Sequence, residues 1–219
     1  MTKTSEAYYY ENKNGGLLMI DTIIFDIGRV LVKFEWREYL DSFHFPAETT
    51  ELLGKAIFLN PAWSEYDRGT FSDKEILKRL CAAAPGHERE VEMVFLQFPT
   101  CLSQLPHAIP WITSLKERGY HVYYLSNYAK TTREGSKEAL SFMDLCDGGL
   151  MSYEIKRIKP DPEIYQALFD RYPIVPAHAV FIDDTEPNLT AAARFGLHTI
   201  LFHDYDQASA ELEAMLTSS

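Results

Sequence analysis

No uninterrupted apolar run in the sequence approaches the roughly 18 residues that a membrane helix requires. Basic residues are also scarce: 21 Lys and Arg stand against 32 Asp and Glu, a formal net charge of −11. Such a surface repels polyanions, so neither nucleic acid nor a membrane is expected as a partner. A small anion can still bind where one pocket gathers a metal ion, a Lys and backbone N–H groups. Cysteine is limited to Cys81, Cys101 and Cys146, an odd number in no metal-ligand spacing, which points to buried thiols and a reducing, cytoplasmic compartment. With 46% apolar and 24% charged residues, disordered and low-complexity chains are excluded, and 219 residues suffice for one α/β domain with an insertion.

Residues 1–18 have neither the basic start and apolar stretch of a secretory leader nor an Arg-rich amphipathic pattern. They read as an N-terminal tail ahead of a domain that begins near Met19. From Asp21 the pattern changes to short β-branched and aromatic runs, DTIIFD (21–26), HVYYLS (121–126), AVFID (179–183) and HTILF (198–202), separated by helical segments. Continuous apolar runs of this length fit strands buried on both faces of a parallel sheet. Gly119 closes one intervening helix, and Asp161-Pro162 opens another as N-cap and first turn. The fold expected is α/β, a doubly wound, Rossmann-like parallel sheet formed by residues 19–33 and 108–219. Residues 34–107 contain no convincing strand but several amphipathic stretches divided at Pro46, Asn60-Pro61, Pro85-Gly86 and Pro99, which predicts an inserted all-helical module.

In sheets of this kind ligands sit beyond the carboxyl ends of the strands. Those ends carry Asp26, Ser126 and the pair Asp183-Asp184. Converging carboxylates repel one another unless a cation lies between them, and oxygen ligands in low number suit Mg²⁺. A hydroxyl from Ser126 and a charge from Lys159 complete a set that binds a phosphoryl group.

Taken in order, IIFDIGRVLV, YYLSN, IKPDPEIY and FIDDTEPN resemble the four motifs of the haloacid dehalogenase (HAD) superfamily of aspartate-nucleophile phosphatases. The likeness runs from about residue 20 to 205 and is nearest to the branch whose first motif reads FDxGNV, which includes sugar 1-phosphate phosphatases. The resemblance implies Asp26 as nucleophile and metal ligand, the Gly28 carbonyl and Asp183 and Asp184 as further Mg²⁺ ligands, and Asn188 as a group that orients the site. It also implies that Ser126, the Asn127 N–H and Lys159 hold the phosphoryl oxygens, and that the inserted helices form a C1 cap. Arg29 and, in the cap turn YDRG, Arg68 are the further candidates for substrate contacts.

One position departs from the family. Where most of these phosphatases carry an Asp as general acid and base, this sequence has Gly28, and losing such a group costs about a hundredfold to ten-thousandfold. Leaving groups that need little protonation are therefore favoured, which makes a sugar 1-phosphate the expected substrate, ahead of a plain alkyl phosphate, with an acyl phosphate as the other option.

Plainer readings stand beside these. A strand-end Asp or Ser caps turns, Lys159 suits a solvated loop, Arg29 suits a flap surface, and the aromatic residues of the insert suit its own small core. His44, His107, His198 and His203 show no ligand spacing. The expectation is a Mg²⁺-dependent phosphatase of a small phosphorylated metabolite, with a monomer compatible with the sequence. The alternatives are a non-catalytic protein that binds such a metabolite and a 2-haloacid dehalogenase.

Overall fold

The structure, a computed structural model, describes residues 9–11 and 17–217. In the segment expected as a tail, β1 (Tyr9–Glu11) pairs antiparallel with β2 (Leu17–Met19). Residues 1–8 and 12–16 lie outside the described residues. β3 (Thr22–Phe25) is buried throughout, and the chain then turns sharply, the Leu31 and Val32 N–H groups both donating to the Ile27 carbonyl. The turn holds Arg29 at a φ of 62° and ends in β4 (Val32–Lys33).

Helices α1 (Trp36–Asp41), α2 (Ala47–Ala56), α3 (Pro61–Asp67), α4 (Asp73–Ala83) and α5 (Glu88–Gln97) follow. Asn60-Pro61, read in the sequence only as a break, is the start of α3: the Asn60 side chain accepts the Ala62 N–H, and Pro61 occupies the first turn. At α4, Ser72 and Glu75 form a reciprocal capping box. These helices bury a core of their own around Leu40, Leu53, Ile57, Ile76, Leu80 and Val91. After a 3₁₀ turn at Phe98–Cys101, β5 (Ser103–Gln104) returns antiparallel to β4, so a two-stranded ribbon closes the insert. A two-residue strand carries no periodicity, which is why the sequence did not reveal it.

The second half runs α6 (Ala108–Glu117), β6 (His121–Ser126), α7 (Lys130–Gly135), β7 (Gly148–Met151), α8 (Ser152–Ile155) and α9 (Pro162–Arg171). It ends with β8 (Ala179–Asp183), α10 (Glu186–Ala193), β9 (His198–Leu201) and α11 (Tyr205–Thr217). β7, β6, β3, β8 and β9 lie side by side in that order, all parallel. Successive strand residues enter opposite cores: Ile23, Phe25, Val122, Val180 and Ile182 one way, Ile24, Tyr123, Leu125 and Phe181 the other. Both faces are covered, so the runs are apolar without alternation, as expected. β7 escaped the sequence reading because GGLM looks like a turn; a Cβ at Gly149 would fall 2.4 Å from the Tyr124 ring, so only glycine lets the two strands approach.

β3 is central, and its register sets Phe25 beside Tyr124 and Ile182. The strand ends at Asp26, Ser126 and Asp183 therefore leave the sheet at one level, at the point where connections run to either side. The insert is fastened above them. Fully buried Ser152 donates to the Asp67 carbonyl of α3 at 2.5 Å and accepts the Tyr128 N–H at 2.8 Å. Removing its hydroxyl leaves both backbone groups without this partner, so Ser152→Ala is expected to cost about 1–3 kcal/mol in urea unfolding; an unchanged midpoint would refute this link between insert and sheet.

Candidate active site

Asp26 is 8% exposed, and its Oδ1 accepts three donors: the Ile27 N–H at 2.6 Å, the Ser126 hydroxyl at 2.8 Å and the Lys159 ammonium at 2.9 Å. Among the described residues Oδ2 has no such partner. Lys159 is 3% exposed and reaches Asp183 Oδ2 at 2.6 Å. Asp183 is fully buried, its two oxygens taken by Lys159, by the Thr185 N–H and by the Asn188 amide at 3.0 and 3.1 Å. The Asn127 side chain donates to the Lys159 carbonyl at 2.9 Å and accepts the Lys159 N–H at 2.7 Å, clamping the two loops together. Asn188 thus orients Asp183, and Asp183 and Asn127 orient Lys159.

Burial pushes the Asp26 carboxyl up to about 6; Lys159 opposes this, while Asp183 and Asp184 add to it. Desolvation pulls the Lys159 ammonium down, but Asp183 and Asp26 outweigh it and the net direction is up. One oxygen each from Asp26, Asp183 and Asp184 lies within 4.8 Å of the others, so hard oxygen donors are gathered where the sequence places a divalent cation. Because Asp183 is saturated with donors, Asp26 and Asp184 are the carboxylates with ligand capacity to spare. The residues present fit Mg²⁺.

Asp26, Ser126, Lys159, Asp184 and Asn188, but not the buried Asp183, line one end of a cavity of about 350 Å³, with Gly28, Asn127 and Thr185. A Cβ on Gly28 would meet nothing within 4 Å, so the missing side chain leaves open space there. Arg29 also lines the cavity, half-exposed, with Nη1 3.4 Å from Asp184. Arg68 does not. Its guanidinium bonds Glu65 at 3.2 Å and Asp161 at 2.6 Å, which overturns its reading as a substrate ligand: it spans from the insert to the N-cap of α9. Asp161 accordingly makes no side-chain bond to its own helix.

The residue before Arg68 enters the cavity instead. Asp67 is partly exposed, toward the cavity, yet crowded enough that desolvation holds its acid well above the ordinary carboxylate range, against a single opposing bond from the Ala129 N–H. Phe34, Trp36, Phe58, Trp63 and Phe98 line the cavity as well. The sequence reading assigned the insert's aromatic residues to its own small core, and Trp36, Phe58 and Trp63 do pack against that core while also bordering the cavity; Phe98 is buried. The five rings come from five separate places in the chain, so no spacing could have grouped them.

The raised pKa of Asp26 has a measurable consequence. A carboxyl whose folded pKa lies above its unfolded value favours the folded state below about pH 4, and that advantage is lost as pH rises through about 6. In metal-free protein Asp26→Asn is expected to raise stability at pH 7.5 by about 1–3 kcal/mol, with the gain vanishing near pH 4. Thermal unfolding at both pH values checks this; a variant less stable than wild type at pH 7.5 would refute it.

Comparison with known proteins agrees with this geometry. Residues 20–196 match the family model described as haloacid dehalogenase-like hydrolase. A D-ribitol-5-phosphate phosphatase of Bacteroides thetaiotaomicron is 26% identical over 209 residues, covering 91% of this chain and all of the relative. A sesquiterpene phosphatase of Aspergillus oryzae is 26% identical over 174 residues, covering 80% and 85%. The solved structure of a HAD family enzyme from B. thetaiotaomicron in complex with magnesium superimposes with a TM-score of 0.70 at 21% identity, over 88% of this chain and 98% of that one. With the family model spanning most of the sequence, the chain belongs to the haloacid dehalogenase-like hydrolases.

Proposed function

We propose that the protein is a Mg²⁺-dependent phosphatase that hydrolyses a small phosphorylated metabolite through an aspartyl-phosphate intermediate. Residues 34–107 act as the cap over a core of 19–33 and 108–219, in a cytoplasmic enzyme. The observation that carries the reading is the convergence of Asp26, Ser126, Lys159 and Asp184 on one end of a single cavity. Asp26, with Oδ1 pinned and Oδ2 unbonded, is the nucleophile. Ser126, the Asn127 N–H and Lys159 receive the phosphoryl oxygens, and Arg29 adds a positive charge at the rim. Asp26, Asp184 and the Gly28 carbonyl hold Mg²⁺, with Asp183 nearby, and the ion neutralises charge on the phosphoryl group. A 2-haloacid dehalogenase needs no Mg²⁺ and so has no need of two adjacent carboxylates at 183 and 184.

Asp67 replaces the acid and base lost at Gly28. As Asp26 forms its bond to phosphorus, the P–O bond to the alcohol breaks and the alcohol oxygen takes the proton from the Asp67 carboxyl. Asp67 carboxylate then takes a proton from water as the water oxygen attacks phosphorus, releasing inorganic phosphate and restoring Asp26. Burial raises the Asp67 carboxyl well above the ordinary carboxylate range, the direction that an acid in the first step needs. Among substrates, the relatives' names span a polyol and a hydrocarbon, ribitol and a sesquiterpene. The ribitol name supports a sugar phosphate, and with Asp67 serving as acid the lack of a side chain at Gly28 no longer singles out a 1-phosphate; the aromatic wall of the cavity favours an alcohol with fewer hydroxyls.

Phosphate release with Mg²⁺ should vanish in Asp26→Asn and in EDTA. Release that survives either one would sink the phosphatase reading, and none from well-folded wild-type protein would favour the metabolite-binding alternative. Asp67→Asn should slow the first step, phosphorylation of Asp26 followed in a single turnover, by about 10²–10⁴ for alkyl phosphates but spare it for acetyl phosphate, whose leaving group needs no proton, while the shared hydrolysis step slows for both. Gly28→Asp should restore part of the loss in that background, since open space awaits the new side chain. Equal slowing of both substrates in that first step would remove Asp67 from the acid role.

A further inference from the structure

The cavity has two chemically distinct parts. At the strand ends its groups are charged or hydrogen-bonding, and they match a phosphoryl group. Away from that end the wall consists of Phe34, Trp36, Phe58, Trp63, Phe98 and Leu102. Beside this wall the polar groups are few: Asp67, Thr132, the Tyr128 hydroxyl, already bonded to Ser136 at 3.0 Å, the Arg29 guanidinium 5.8 Å from the Phe34 ring, and the indole N–H groups of Trp36 and Trp63. The rings are also fixed by one another. Trp36 stacks on Phe58 at 5.4 Å, Trp63 lies 5.1 Å from both Phe58 and Phe98, and Phe34 meets Phe98 edge-on at 5.7 Å. This is a preformed surface, with each ring braced by its neighbours.

We propose that the natural substrate is the phosphate monoester of a compact, mostly hydrocarbon alcohol, aryl or branched aliphatic, whose carbon skeleton lies against this wall. The inference rests on the phosphatase reading and names the alcohol for it. A polyol seated here would leave most of its hydroxyls stripped of water and facing ring carbon, with Asp67, Thr132, Arg29 and the Trp36 and Trp63 indole N–H groups the side-chain partners on hand. An aromatic ring alone can stack on a sugar face, but a sugar site also supplies several acceptors around the ring edge, and here Asp67, Thr132 and the Tyr128 hydroxyl are the side chains that offer one. A hydrocarbon alcohol loses nothing on desolvation and gains contact with all six side chains. At about 350 Å³ the cavity lies near the small end of ligand sites, roughly 300–1,000 Å³, which suits a compact alcohol.

The test measures kcat/KM with Mg²⁺ for benzyl phosphate and 3-methylbut-2-enyl phosphate against ribitol 5-phosphate and glucose 1-phosphate. Acetyl phosphate, too small to reach the wall, reports on the phosphatase chemistry by itself. The expected result is a preference of at least tenfold for both apolar esters over both polyol esters. Phe58→Ala should reduce that preference at least fivefold, with Phe58→Leu in between; the preference is a ratio within one sample, so partial misfolding cancels. Turnover of acetyl phosphate with equal or better use of the polyol esters would overturn this proposal and leave the phosphatase standing. A preference unchanged in Phe58→Ala would likewise overturn the role of the wall. No turnover of any substrate, acetyl phosphate included, would overturn the phosphatase reading and this proposal with it.

Discussion

A single ammonium, Lys159, sits between two buried carboxylates, 2.9 Å from Asp26 and 2.6 Å from Asp183, and much of the surrounding structure exists to make that arrangement tolerable. Buried charges are costly unless each is paired and its remaining hydrogen-bonding capacity is used. Asp183 meets that condition through the Thr185 N–H and the Asn188 amide, and Asp26 through Ser126 and the Ile27 N–H. The cluster still carries one more negative than positive charge, with Asp184 adding another at its edge. Burial raises the Asp26 pKa with Asp183 and Asp184 adding to it against Lys159, and the residual negative charge is what makes the site receptive to a cation.

The parts of the molecule that were legible in the sequence are those built by local pattern. Four of the five parallel strands announced themselves as apolar runs because burial on both faces leaves no place for alternation. The residues at their ends could be named because a parallel sheet delivers its strand termini to one edge. Asp26, Ser126, Lys159, Asp183, Asp184 and Asn188 do meet there. What stayed hidden depends on non-local packing. β7 was masked by two glycines that its neighbour's ring demands, and β5 by its two-residue length. Arg68 and Asp67 are adjacent in a turn of uniform polarity, and only the tertiary structure sends one to Asp161 and the other into the cavity. The aromatic wall is the extreme case, since its members are scattered from Phe34 to Phe98.

Cap and core are joined where chemistry is proposed to occur. The Asp67 carbonyl is held by Ser152, its carboxyl lines the cavity, and the neighbouring Arg68 bonds the start of α9, a few residues after Lys159. One turn of the insert therefore touches both the loop that follows β6 and the segment that carries the lysine. Of the apolar wall, Trp63 lies on the same helix as Asp67, so movement of this turn would displace the proposed acid and one of the rings together.

The clamp between Asn127 and Lys159 bears on entropy. A lysine free in water has several rotatable bonds, and fixing it costs about 2 kcal/mol in lost rotamer freedom. Here the amide of Asn127 grips the lysine backbone on both sides of the peptide unit, and Asp183 holds the far end of the chain. That disorder is surrendered once, when the protein folds, and not again at each encounter with an anion. An incoming phosphoryl group thus meets a charge already standing still, and the free energy of its binding remains available for work on the bond to be broken.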